Sequence, residues 1–212
     1  MNDKIRLNFF YKFVIGPILD SWVRRVEGAS NIPESGPAII APNHISYLDH
    51  FLVGKYVLTE RNRKVHILTK KEHTTDSMHM LWYRLFFERY VTMIPIDRQI
   101  GRDGLRAAEE YLNNGCVLLL YPEGTRSLDG RLQSGKSGIG TLVRRTSAPV
   151  IPVGVKGTFE ILPKGKFWPN NKKADITFGE KLVFNGEPSK TITDTIMKKI
   201  AELSGQEYKF AG

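Results

Sequence analysis

The feature that most constrains the fold of this chain is an alternation. Short apolar, β-like runs at Val23–Val26, Ala38–Ala41, Val65–Thr69, Val91–Ile96, Val117–Tyr121, Val150–Val155 and Asp175–Phe178 are interleaved with segments of helical periodicity. The helical patterns cover Ser46–Thr59, Ser77–Glu88, Arg102–Asn113 and Ser137–Thr146, with a last helix near Ile192–Leu203. Strands separated by helices predict an α/β fold, a mostly parallel sheet flanked by helices. In such sheets sites collect beyond the carboxyl ends of the strands, and two polar clusters, around His44 and Glu123, follow strand ends closely. At 212 residues the chain has room for one domain with a sizeable core. Its single cysteine, Cys116, can form no intramolecular disulfide or cysteine cluster; in the run Cys116-Val117-Leu118-Leu119-Leu120 it reads as a core residue, and a reducing compartment fits.

The first cluster is Asn43-His44-Ile45-Ser46-Tyr47-Leu48-Asp49. A neutral imidazole takes a proton near pH 7, and a carboxylate on its other ring nitrogen fixes the tautomer and stabilises the imidazolium. Five residues along one helix is about 500°, which leaves the two side chains roughly 140° apart, so the backbone must change conformation between them. Ser46 offers the place for that change as an N-cap, with His44 in the preceding loop and Asp49 in the first turn. The same spacing also reads as a capping box, in which Asp49 bonds the backbone of Ser46. The fragment alone leaves both readings open.

Charge is unevenly spread. The chain carries 31 Lys/Arg against 22 Asp/Glu, and residues 126–173 alone hold ten against two, so one region attracts anions. No run reaches the roughly 18–20 apolar residues needed to span a bilayer, and the N-terminus lacks a secretory layout. Yet Leu7, Phe9, Phe10, Tyr11, Phe13, Val14, Ile15, Ile18, Leu19 and Trp22 are interleaved with Arg6, Lys12, Arg24 and Arg25. That pattern predicts an aromatic amphipathic helical segment, suited to a membrane interface or to a core-facing role. Met80–Tyr90 has the same character.

The second cluster, Tyr121-Pro122-Glu123-Gly124-Thr125-Arg126-Ser127, follows a strand directly; its glycine permits close backbone approach and its arginine can grip a phosphate with two parallel hydrogen bonds. Together, Asn43-His44-x-Ser46-x-x-Asp49 and Glu123-Gly124-Thr125-Arg126 resemble the first and third sequence blocks of the glycerolipid acyltransferase family, which includes the bacterial 1-acylglycerol-3-phosphate acyltransferases. Ile96-Asp97-Arg98 resembles the second block and Val150-Ile151-Pro152-Val153 the fourth, so the likeness covers roughly residues 23–160.

The resemblance implies transfer of a fatty acyl group from an acyl-CoA or acyl-carrier-protein thioester to the free hydroxyl of 1-acyl-sn-glycerol 3-phosphate, giving phosphatidate, or within the same family to another lysolipid or lipid acceptor, with no other cofactor and no metal. His44 is then the general base and Asp49 its orienting partner, while Arg98, Glu123, Gly124, Thr125 and Arg126 bind the acceptor's glycerol phosphate. An arginine pair suits a phosphate dianion. The oxyanion donor is left between backbone N–H groups near Gly124 and Gly154. Residues 1–22 become a membrane-interface helical segment and 23–212 the acyltransferase domain, held peripherally or monotopically at the cytoplasmic face of the cell membrane. The chain departs from the family after the third block, where Phe-Lys is frequent and Gly135-Lys136 stands here, and at Tyr121, where Phe is frequent.

Other classes leave traces too. Gly130-Arg131-Leu132-Gln133-Ser134-Gly135-Lys136-Ser137 satisfies a phosphate-loop pattern, but that motif needs a strand leading straight into it, and here the strand ends nine residues earlier. A non-catalytic membrane-binding module would use the aromatic segment and the basic surface, with the His44/Asp49 pair as structure. Nucleic-acid binding rests on charge only, with no recognition module. His73, Asp76 and His79 match no standard metal spacing.

Overall fold

The computed structural model describes residues 9–70, 90–96, 101–163, 165–166 and 168–210. Arg98, the helix expected at Ser77–Glu88, the segment Met80–Tyr90 except Tyr90, and His73, Asp76 and His79 lie outside the described residues.

The chain enters through a π-helical turn, Tyr11–Ile15, that continues into helix α1 (Gly16–Asp20). There follow β1 (Val23–Glu27), β2 (Ala38–Pro42), α2 (Leu48–Arg61), β3 (Val65–Lys70), β4 (Val91–Ile96), α3 (Gly101–Asn113), β5 (Val117–Leu119), α4 (Gly138–Thr146), β6 (Val150–Lys156), a single helical turn α5 (Thr158–Ile161), β7 (Ala174–Phe178) and α6 (Ser189–Ser204). The strands form one sheet in the order β1-β7-β6-β2-β5-β3-β4. From β6 to β4 every neighbouring pair is parallel. β7 runs antiparallel to β6 and carries β1 alongside it in parallel. The antiparallel pair was not foreseen: the β6–β7 connection holds one helical turn instead of a crossover helix, and a strand that returns without a crossover pairs antiparallel.

Both faces of the sheet are covered, which is why the central strands read as unbroken apolar runs. Ala38 and Ile40 with Val117 and Leu119 face one core, shared with Leu52, Val53 and Val57 of α2 and with Tyr11 and Leu19. Ile39 and Ala41 with Leu118 and Leu120 face the other, shared with Ala108 and Leu112 of α3, Ile139 and Leu142 of α4, and Ile192, Ile196 and Ile200 of α6. The period-2 alternation of strand side chains makes this division. The N-terminal helical piece is tied down by Asp20, which accepts from Lys55 Nζ (2.5 Å) and Tyr56 Oη (3.2 Å) of α2. No described helix is long and apolar enough to cross a membrane.

Two boundaries differ in ways that matter for the site. β5 ends at Leu119, not Tyr121: Leu120 still donates to Ile40 O (3.0 Å), but at Tyr121 the chain enters a turn closed by Gly124 N (3.0 Å). Helix α2 starts at Leu48 with Tyr47 at the cap, so Ser46, the expected N-cap, stands one residue outside it; its Oγ still accepts from Leu48 N (3.1 Å).

Candidate active site

Because β6, β2 and β5 are parallel neighbours, their carboxyl ends open on one edge, and each sends a loop there: residues 43–47 from β2, 121–127 from β5 and 157–162 from β6. The His44 loop is clamped between the other two. Asn43 exchanges two hydrogen bonds with Val155, its Nδ2 donating to the carbonyl (2.8 Å) and its Oδ1 accepting from the N–H (2.7 Å). On the other side, His44 N–H donates to Glu123 Oε1 (2.7 Å) and His44 C=O accepts from Ser127 N–H (2.8 Å). The β2–β5 pairing is in effect carried past the strand ends by a side chain.

His44 and Asp49 are brought together. Their side chains are 9% and 0% exposed, and Nδ1 of His44 lies 3.0 Å from Asp49 Oδ2. A carboxylate oxygen can only accept here, so Nδ1 carries the hydrogen and Nε2 is left with its lone pair. The same Oδ2 accepts the N–H groups of Ile45 and Ser46, each at 2.8 Å. The paired and capping-box geometries are thus one structure: the carboxylate that caps the turn also orients the His44 ring. Oδ1 is taken by Thr158 Oγ1 at 2.6 Å. Ser46 Oγ meanwhile donates to Leu162 O (2.7 Å), which together with its bond from Leu48 makes it a structural hydroxyl. Cys116 is fully buried within the core.

An aromatic and cationic surround acts on the base. The Tyr121 ring stacks on the His44 ring, with centroids 3.8 Å apart and planes 23° apart. His50 packs edge-on against both rings. Burial holds the His44 imidazolium unfavourable and so lowers its pKa from the ordinary histidine value, with the Asp49 hydrogen bond and charge opposing and the Arg126 guanidinium adding to the lowering. Burial, with the nearby His44 and Arg126, pushes His50 down to about 3. Arg126 lies over the Tyr47 ring, its Cζ 3.2 Å from the centroid, and its buried Nη1 has no hydrogen-bond partner among the described residues. The hydroxyl of Tyr121 and Nδ1 of His50 are likewise buried without a partner.

Of the other residues marked in the sequence, Glu123 is the most buried, at 1% exposure. Oε1 takes the His44 N–H, and Oε2 accepts from Gln133 N (2.8 Å) and Gln133 Nε2 (3.4 Å). Burial outweighs these bonds and raises its carboxyl to about 7. Gly124 is left-handed, φ 68°, and the side chain of Lys136 lies across it: a Cβ at 124 would meet Lys136 Cδ at 3.0 Å. Thr125 is exposed, its carbonyl accepting from Gln133 Nε2 (3.2 Å). Gly154 is not at the site. It sits mid-strand in β6, and a Cβ there would come within 2.3 Å of the Leu203 backbone of α6, so its role is close packing and it drops out as an oxyanion donor.

The phosphate-loop pattern fails on geometry. The N–H groups of Arg131, Leu132, Gln133, Gly135 and Lys136, which such a loop would turn toward a phosphate, donate instead to Asp129, Gln206, Glu123, Tyr208 and Pro122. Among the described residues no cluster of three or more His, Cys, Asp or Glu could hold a metal. Sequence reasoning missed Thr158, His50 and Gln133. All three are isolated residues with no local pattern to mark them, and only the neighbouring of β6, β2 and β5 brings them to the dyad.

A buried histidine–carboxylate pair stands at the strand ends of an α/β sheet with an arginine beside it, an arrangement suited to acid–base chemistry. The Acyltransferase family model matches residues 23–156, well over half of the chain, and the chain belongs to that family. It is 31% identical over 141 residues to a chloroplastic 1-acyl-sn-glycerol-3-phosphate acyltransferase of Arabidopsis thaliana, covering 66% of this chain and 38% of that protein. Against a chloroplastic protein of the same description from Brassica napus the identity is 28% over 178 residues, 84% of this chain and 49% of that one. The chain therefore spans half or less of these relatives' length. Among solved structures, the 1-acyl-sn-glycerophosphate acyltransferase PlsC of Thermotoga maritima superposes with a TM-score of 0.64 at 26% identity, over 93% of this chain and 83% of that one.

Proposed function

We propose that the chain transfers a fatty acyl group from an acyl-CoA or acyl-carrier-protein thioester to the free hydroxyl of 1-acyl-sn-glycerol 3-phosphate. The observation that carries this reading is the oriented His44–Asp49 pair beside Arg126, whose buried Nη1 is unpartnered and whose charge is felt by His44. In this acceptor the hydroxyl and the phosphate sit on adjacent carbons, so a base and a phosphate donor must stand close together. His44 Nε2 takes the hydroxyl proton, and Asp49 steadies the imidazolium that results. The freed alkoxide adds to the thioester carbonyl; the tetrahedral oxyanion collapses, the C–S bond breaks, and the thiolate leaves with the proton from His44. The ester bond forms as the thioester bond is lost, and no acyl-enzyme is needed.

Arg126, together with Arg98, is assigned to the acceptor phosphate, with Gly124 and Thr125 letting the loop lie close to it. Glu123 serves this binding from beneath, because both its oxygens are engaged by neighbouring donors. The exposed Phe9, Phe10, Phe13, Val14 and Ile18 of the N-terminal helical piece are suited to the membrane contact an acyl-chain acceptor requires, and we read the chain as a peripheral or monotopic enzyme of the cytoplasmic face of the cell membrane. The test is direct: purified protein with palmitoyl-CoA or palmitoyl-carrier protein and a panel of lysolipids, following thiol release and lipid product together. Phosphatidate from lysophosphatidate is the expected product; no transfer to any lysolipid would overturn the assignment.

A further inference from the structure

The loop leaving β6 braces the His44 loop at three points: Val155 through Asn43, Thr158 through Asp49, and Leu162 through Ser46. Two of these hold backbone in place. The middle one touches the dyad itself. Thr158 opens the one-turn helix α5, where a threonine hydroxyl ordinarily satisfies a group of its own backbone. Here it reaches a side chain 109 residues away at 2.6 Å, from a position with no solvent exposure. Gly157 delivers it. The backbone there is left-handed, φ 90°, and a Cβ would lie 2.4 Å from Lys173 O, so the sharp turn out of β6 and into α5 depends on glycine at that position.

We propose that Thr158 is a positioning residue of the acyl-transfer site: by donating to Asp49 Oδ1 it locks the rotation of the carboxylate that orients His44, and it moderates how tightly that carboxylate holds the imidazolium. The proposal rests on His44 being the general base. Thr158 lies two residues beyond the stretch that matches the family model. The physical argument is a count of donors. Asp49 Oδ2 already receives three, from Ile45, Ser46 and His44, so it has no reason to move. Oδ1 has Thr158. Without that hydroxyl, a buried oxygen loses its donor, the carboxylate can twist off the imidazole plane, and its charge is shared with fewer donors and acts more strongly on His44. Among the described residues, the other charged or titratable groups facing the pair are His50 from α2 and Tyr121, Glu123 and Arg126 from the loop after β5, and none of these has a hydrogen bond to Oδ1.

The experiment compares the full-length wild type with Thr158→Val, which keeps the shape and removes the donor, and Thr158→Ser, which keeps the donor. Two readouts are taken: the titration of His44 by NMR of histidine-labelled protein, which needs no turnover, and the pH profile of kcat in the thiol-release assay. Thr158→Val is expected to lower kcat about tenfold, the size of one hydrogen bond to a charged group, with KM for the acceptor unchanged. It should also move the His44 titration and the acid limb of kcat upward together, and Thr158→Ser should return both. A folded valine variant in which neither the titration nor the limb moves overturns the proposal, as does a folded serine variant that behaves like valine. Should Thr158→Val not fold, Thr158→Cys, whose thiol is a weaker donor of similar volume, must move both readouts in the same direction by a smaller amount. If the wild type transfers no acyl group while its His44 titration still answers to Thr158, the reaction assignment fails and the coupling stands.

Discussion

Two buried carboxylates hold His44, and they hold different parts of it. Asp49 takes the imidazole, and with it the two backbone N–H groups that follow and a hydroxyl from across the sheet. Glu123 takes the main-chain N–H of His44 and passes the connection on to Gln133, thereby fixing the Arg126 loop against the His44 loop. Asp49 is five residues from its histidine; Glu123 is 79 away. The difference teaches that the His44–Asp49 pair is built locally, whereas its distance from the Arg126 loop is a property of the sheet. Damage to the first should appear in kcat, and damage to the second in acceptor binding and stability.

The largest effect is expected at Asp49. Asparagine can keep the three bonds at one oxygen and turn its amide toward Thr158, whose hydroxyl can accept as well as donate. The fold should therefore lose about 1 kcal/mol while kcat falls about a thousandfold, in line with loss of general-base function. A kcat loss below tenfold in a folded Asp49→Asn protein would reduce the pair to a helix cap. Asp49→Ala leaves two N–H groups and a hydroxyl stranded in the interior, so it should lose several times more stability than Asn, by about 3 kcal/mol or more; urea unfolding separates the two.

Glu123→Gln comes next. Three N–H donors, at least one to each, face its two oxygens, and an amide can accept at only one, so the variant sets an NH2 against an N–H and should lose about 2 kcal/mol of stability. Acceptor KM should rise about tenfold, more than kcat falls, because the Arg126 loop is what loosens. The pH dependence has a definite sign. With the folded carboxyl raised to about 7 from an ordinary value of 4.5, the stability contributed by Glu123 is fully present below about 4.5 and is lost as pH rises through 7. The gap in Tm between wild type and Glu123→Gln should accordingly be wider at pH 5 than at pH 8; a gap that widens on going to alkaline pH would contradict the burial of this group as its main influence. His50 acts in the opposite direction: lowered to about 3, it contributes stability that is complete above about 6.5 and wanes as pH falls toward 3. Activity follows His44, whose lowered pKa keeps it neutral below the usual histidine range, so the acid limb of kcat/KM should lie under 6.5.

Tyr121→Phe should have the smallest effect. The ring that stacks on His44 is retained, and a buried hydroxyl without a partner is removed. Thermal unfolding should show no loss, or a gain of up to about 1 kcal/mol, and activity should change less than about threefold, since neither carboxylate loses a bond. A large loss of kcat in this variant would mean that the hydroxyl meets the substrate, and the comparison of the two carboxylates would need a third member.

Much of this was legible in the chain. Alternating patterns marked six of the strands to within a residue or so at their ends, because strand and helix periodicities are written in consecutive side chains. The closeness of His44 and Asp49 was legible for the same reason: five residues and one change of backbone direction set it. Helix α2 begins and ends two residues later than its periodicity marks, the last helix begins three residues earlier, and β5 stops two residues short; at the end of β5 and the start of α2 the neighbouring hydrogen bonds involve Ile40 and Ser46, which lie outside those elements themselves.

By itself, then, the sequence determined the α/β class, the apolar runs that become the sheet, a histidine with its carboxylate, and an arginine loop directly after a strand. The tertiary structure alone decided that β6, β2 and β5 are neighbours, and from that single fact follow Glu123 on the His44 backbone, Arg126 within electrostatic reach of the imidazole, and Thr158 on Asp49. The physical reason is range. Periodicity and capping act over a few residues, whereas strand order depends on which apolar faces pack together across the whole chain, and a hydrogen bond between residues 49 and 158 leaves no mark on the residues next to either.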